Sequence, residues 1–93
     1  MIKGTTKSGF KYTLYDDKLD DYELLETLCE IDRGDVTLVP KMANQLLGEK
    51  QMSRLKDHVR NERGSVSATK MMDEISQIFY GAKALKNSQS SPT

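Results

Sequence analysis

A thiol and an imidazole can together make a nucleophile and its base, and the chain carries one of each, Cys29 and His58. Such a pair acts only when the two groups lie within hydrogen-bond reach. Cys29 falls on the apolar face expected of the first helix, where a buried thiol behaves as a small hydrophobe. His58 falls among charges on a peripheral helix. The pattern therefore predicts no thiol–imidazole dyad. Ser-x-x-Lys occurs at Ser53–Lys56 and Ser67–Lys70. That spacing sets a lysine one helical turn from a serine nucleophile in penicillin-recognising enzymes. The supporting Ser-Asp-Asn and Lys-Thr-Gly motifs are missing, and a domain this small has no room for the substrate cleft.

Carboxylates gather at Asp16, Asp17, Asp20 and Asp21. A calcium loop alternates its oxygen ligands around a central glycine and closes on a bidentate glutamate. Here the spacing is helical and no glycine intervenes, so capping of a helix N-terminus explains the cluster better. The stretch "GEKQ" at Gly48 lacks the second glycine and the Lys-Ser/Thr pair of a phosphate loop. No metal ligand set, cofactor site or catalytic constellation is expected, and the chain reads as non-enzymatic.

These residues sit on 93 positions, enough for one domain with a thin core. Apolar residues make up 37% and charged residues 30%, an ordinary mixture for a chain surrounded by water. Fourteen basic residues balance fourteen acidic ones. That neutrality argues against a dedicated nucleic-acid binder. A lone cysteine forms no internal disulfide and fits a reducing cytosol. The opening "MIKGTTKSGF" lacks the apolar run of a signal peptide, and no stretch approaches the roughly 20 apolar residues needed to span a bilayer.

The charge is unevenly spread. Residues 16–32 carry eight carboxylates against Lys18 alone, and residues 50–63 carry Lys50, Arg54, Lys56, Arg60 and Arg63 against Asp57 and Glu62. The two stretches can pair within a molecule, pair between copies, or stand as two solvated helix faces.

Periodicity predicts a mostly α chain of the α+β class, a single domain over residues 1–86. An N-terminal hairpin over 2–15 alternates Phe10, Tyr12 and Leu14 with polar neighbours, pairs them with Ile2, Gly4 and Thr6, and turns at Ser8-Gly9. A first helix over about 17–33 is capped by Asp16 or Asp17. It turns Leu19, Tyr22, Leu25, Leu28 and Cys29 to one face, widened by Leu24 and Ile31. A second helix over 38–47 carries Val39, Met42, Ala43, Leu46 and Leu47, with Pro40 in its first turn and Gly48 at its end. A third over 49–63 has the narrow stripe Met52, Leu55 and Val59. The fourth and longest, over 67–86, presents Ala68, Met71, Met72, Ile75, Ile78, Phe79, Ala82 and Leu85. It forms the spine on which the first two helices pack. Gly81 inside it either permits close packing or is a tolerated weak point costing about 1 kcal/mol. Residues 87–93, with no apolar anchor, are expected to be a flexible tail.

The second and third helices have roughly the lengths of a helix-turn-helix, and the third is basic. Gly48 is nearly their whole connection, which is short for that motif. Five methionines are a modest excess. They serve as core filler or as an adaptable surface for an apolar helix.

In order along the chain come "SGFKYTLYDDKLDDYELLETLCEID", "LLGEKQMSRLKDHVRNERGSVS" and "EISQIFYGAKALKNSQSSPT". Together these resemble the small tail assembly chaperone-like proteins of long-tailed bacteriophages and prophages of Gram-positive bacteria. The likeness runs over nearly the whole chain. It rests on the hairpin from Ser8-Gly9-Phe10, the Asp-rich start of helix one, Leu46-Leu47-Gly48 with Gln51, and the closing Lys86-Asn87-Ser88 with Ser90-Ser91-Pro92. None of these is a catalytic signature.

The resemblance implies a non-catalytic protein of the bacterial host cytoplasm. It would bind the helical tape-measure protein and keep it soluble until the tail tube polymerises around it. It also implies that "KNSQSSPT" is a flexible end or a hinge to a frameshifted extension, with a frayed terminus as the plain alternative. For a tape measure exposing apolar helical stripes, an adaptable groove with charged rims is the matching surface. Met42, Leu46, Met71, Met72 and Phe79 are the candidates to line it. No cofactor, nucleic acid or membrane is expected as a partner; a second copy of the chain is one alternative, beside two solvated helix faces. Two other readings stand beside this one: a head–tail joining protein of the virion, and a DNA-binding accessory protein of a mobile element acting through helix three.

Overall fold

Strand β1 (Ile2–Thr5) pairs antiparallel with β2 (Lys11–Leu14), setting Ile2 opposite Leu14 and Gly4 opposite Tyr12. The computed structural model of the protein describes residues 1–89, the last three by their backbone alone. Phe10, Tyr12 and Leu14 are buried, as their alternation requires. The turn closes where Thr6 accepts the Gly9 N–H at 3.0 Å and gives its own N–H to the Phe10 carbonyl at 2.9 Å. The Tyr12 ring folds over its cross-strand partner Gly4, into space that a Cβ would occupy. A glycine that would otherwise weaken the strand is thereby covered.

The outer edge of β2 is closed by side chains. Gln51 accepts the Thr13 N–H at 2.8 Å and donates to the Thr13 carbonyl at 2.7 Å, reproducing one rung of a missing strand. Arg54 donates to the Lys11 carbonyl at 3.0 Å and stands 5.1 Å over the Phe10 ring. A two-stranded ribbon left with a bare edge invites pairing with another chain, and these two residues remove that template.

Helix α1 spans Tyr22–Asp32, shorter than the expected 17–33. Asp16–Lys18 form a separate 3-10 turn. The cap is Asp21 instead of Asp16 or Asp17, its carboxylate accepting from the N–H groups of Glu23 at 2.8 Å and Leu24 at 3.3 Å. The buried side of α1 is also rotated from expectation. Leu24 and Thr27 point inward, with Leu19, Leu28 and Ile31 half-buried, while Tyr22, Leu25 and Cys29 are exposed.

After a 3-10 turn at Val36–Leu38, helix α2 runs Val39–Val59, with Pro40 in its first turn. The two helices expected on either side of Gly48 are thus two arms of one bent element. Gly48 adopts φ 80 and ψ 162, a conformation that leaves the helical path and suits only glycine. The second arm ends at Val59, four positions before the expected 63. The cause is Asn61, whose side-chain oxygen takes the N–H groups of Arg63 at 2.9 Å and Ser65 at 3.0 Å and fixes a turn.

Helix α3 spans Ala68–Gln89. Ser67 caps it, accepting the Lys70 N–H at 3.2 Å. The helix continues past the expected end at 86, so residues 87–89, expected in the tail, are helical. The rest of that tail, 90–93, lies outside the described residues.

Ile2, Leu14, Leu46, Leu55 and Ile78 are the most enclosed side chains, drawn from the hairpin, both arms of α2, and α3. The chain is therefore a small α+β fold, mainly helical. α3 lies chiefly against β1, and α1 chiefly against α2. Helix one, expected to rest on the long helix, has its main contact with α2 instead. Because the inward face of α1 is the Leu24 and Thr27 side, α1 leans on the first arm of α2 and leaves a gap toward α3.

Candidate functional site

That gap is an open groove of about 330 Å³, lined by Leu19, Leu24, Leu25 and Leu28 of the α1 region and by Phe79, Lys83 and Lys86 of α3, with Asp21 at one lip. Leu25 is 52% exposed. The Lys83 ammonium lies 5.4 Å over the Phe79 ring, which holds a positive charge at the groove wall. Phe79 also meets Tyr80 edge to face at 5.4 Å. Farther round α1, Tyr22 is 71% exposed and shares a shallow hollow with Leu25, Cys29 and Arg33. An apolar floor with lysines on one wall can hold an apolar helical stripe and meet carboxylates along its flank.

The five residues expected in the binding groove are not brought together. Met42, Leu46 and Met71 belong to the core, where they join the inner faces of α2 and α3. Met72 is 51% exposed and stands outside the groove lining. Phe79 alone of the five lines the groove. Sequence reasoning missed Leu19, Leu25 and Leu28 as groove residues because it assigned them to the core, where Leu24 indeed lies. The available signal was a surplus. Six large apolar residues within residues 19–31 are more than one face of a helix of this length can bury.

A second constellation forms where the hairpin turn meets α3 and the second arm of α2. Glu74 is 5% exposed and receives the Thr6 hydroxyl at 2.7 Å and the Ser8 hydroxyl at 3.0 Å. The Ser8 oxygen also lies 3.0 Å from His58 Nε2. Lys7 N–H donates to Gln77 Oε1 at 2.8 Å close by. Serine, histidine and glutamate thus meet. With the Ser8 hydroxyl donating to Glu74, the bond to His58 takes Nε2–H as its donor, an arrangement in which the imidazole is not a base toward that hydroxyl. The cluster ties the turn down. His58 also meets the Phe10 ring at a tilt of 55°, with ring centroids 5.5 Å apart, and the exposed Cys29 lies on α1, outside this cluster.

Among the described residues no group of three or more His, Cys, Asp or Glu side chains is placed to hold a metal ion. No helix among them is long and apolar enough to cross a membrane. The two arms of α2 meet at Gly48 without the turn that seats a recognition helix, and Gln51 and Arg54 of the basic arm are spent on the hairpin edge. No protein-family model, no curated protein and no solved structure matches the chain.

Proposed function

We propose that the protein is a non-catalytic tail assembly chaperone of a phage or prophage. In this reading it holds an apolar helical stripe of the tape-measure protein in the groove between α1 and α3. The observation that carries the proposal is the groove itself: exposed Leu25 and half-buried Leu19, Leu28 and Phe79 line an opening between α1 and α3. Leaving such a surface uncovered is unfavourable in water unless a partner covers it for part of the protein's life. The sequence resemblance names the partner, and the lysines of α3 fit a stripe flanked by carboxylates. Met42, Leu46 and Met71 act from the core, by supporting the walls.

Co-expression with the tape-measure protein of the same genome tests this. The soluble, co-purifying fraction of the tape measure is expected to rise well above that obtained without the chaperone. Equal aggregation with and without it would remove the proposal.

A further inference from the structure

The acidic and basic stretches lie on different parts of the molecule. α1 packs against the first arm of α2, where Glu23, Glu26 and Glu30 border a cleft with Lys41 and Gln45. The bend at Gly48 carries the second arm away to the hairpin, where Gln51 and Arg54 hold it. Glu23, Glu26 and Glu30 are exposed together on one face of α1, and Lys50, Lys56, Arg60 and Arg63 are exposed in and just after the second arm of α2. The ion pairs among the described residues are local: the N-terminus with Asp16, Arg33 with Glu30, and Arg60 with Asp57. None joins the acidic stretch to the basic one, so pairing within one molecule does not account for the asymmetry.

We infer that the acidic face of α1 is a docking surface for the basic second arm of α2 of another copy of this chain. The two surfaces are different patches, so the contact is head to tail, and each bound copy presents a fresh acidic and a fresh basic face. The exposed Tyr22 ring, set among the carboxylates, offers a flat partner for an incoming guanidinium. This face borders the groove at Leu25, but Glu23, Glu26 and Glu30 are not among the groove's lining residues, so the charged contacts and the apolar docking use different side chains. The inference stands whether or not the groove holds a tape measure. It predicts weak, salt-sensitive assembly, because solvated charges are screened beyond about 10 Å at moderate ionic strength.

Sedimentation velocity of the purified chain at high concentration, in about 20 mM and about 500 mM salt, reads this directly. The expected result is a weight-average mass at least about twice the monomer in low salt, returning to the monomer in high salt. Two charge-reversed variants locate the faces. Glu23→Lys with Glu26→Lys alters α1, and Lys50→Glu with Lys56→Glu alters the second arm; all four positions are exposed, so the fold is kept. Each variant alone is expected to stay monomeric in low salt. Mixed, they form a one-to-one pair through the one native face each retains, and extend no further. A wild-type chain that remains monomeric in low salt overturns the inference. So does association that persists in high salt, or a mixture that does not pair. A monomeric chain that instead retards duplex DNA in low salt assigns the basic arm to phosphates and also overturns it.

Discussion

The phenol oxygen of Tyr12 lies 2.9 Å from the point at which a Cβ on Gly81 would stand, and no other atom outside the helix comes within 4 Å of that point. A glycine in the middle of α3 is therefore a docking notch for a strand residue. It joins the hairpin to the long helix at the same tyrosine that covers Gly4. Gly81→Ala should gain about 1 kcal/mol of helix propensity and lose more to the displaced phenol, for a net loss of stability. In a Tyr12→Phe background the obstruction is gone and the same change should stabilise. Urea midpoints of the four proteins in the cycle measure the coupling, and equal effects of Gly81→Ala in both backgrounds would refute the contact.

Tyr12 also predicts a pH dependence. Burial raises its phenol above the ordinary value of 10.0, because the phenolate is poorly solvated there. The folded state then holds the proton more tightly than the unfolded state. The stability this contributes is fully present below pH 10 and falls as pH rises through and beyond it. Denaturation midpoints measured from about pH 8 to pH 11 should decline at the upper end, and the decline should be shallower for Tyr12→Phe.

Gly48 makes the bend that carries the second arm to the hairpin. Its surroundings are empty within 4 Å, so a methyl group meets no atom there and only the backbone objects. Gly48→Ala should destabilise the fold by about 1–3 kcal/mol. Amide exchange should report loosening around Thr13 and Gln51, where the second arm closes the strand edge.

Glu74 is the buried acceptor of two hydroxyl protons. Glu74→Ala strands Thr6 and Ser8 and should cost about 1–3 kcal/mol. Glu74→Gln keeps one oxygen acceptor and should cost less. If both variants unfold at the wild-type midpoint, the cluster is not what holds the turn against α3.

The sequence made the secondary elements legible wherever a local rule acts alone: the Phe10, Tyr12, Leu14 alternation, Pro40 at a helix start, Gly48 at a break. It was less informative where a choice between neighbours rests on tertiary packing. Asp16, Asp17 and Asp21 are all competent caps; Asp16 and Asp17 enter a separate 3-10 turn, and Asp21 is left to take the N–H groups of Glu23 and Leu24. The rotation of α1 was hidden for a related reason. Leu24 and Leu25 are equally apolar, and only contact with α2 decides which turns in. That one decision converts Leu25 from core to surface and opens the groove. Met42 and Met71 are apolar in the same way whether they are covered or not, so the sequence left core filler and adaptable surface both open, and burial places the two in the core.

The central claim is that the α1 and α3 groove receives the partner helix, and one comparison tests it most directly. The tape-measure protein is co-expressed with wild type, with Leu25→Asp, and with Met72→Asp, and the soluble co-purifying fraction is measured for each. Leu25 and Met72 are about equally exposed, at 52% and 51%, and only Leu25 lines the groove, so both variants should fold. We predict rescue by wild type and by Met72→Asp, and loss of rescue by Leu25→Asp. Rescue by Leu25→Asp as full as that by wild type would contradict the account.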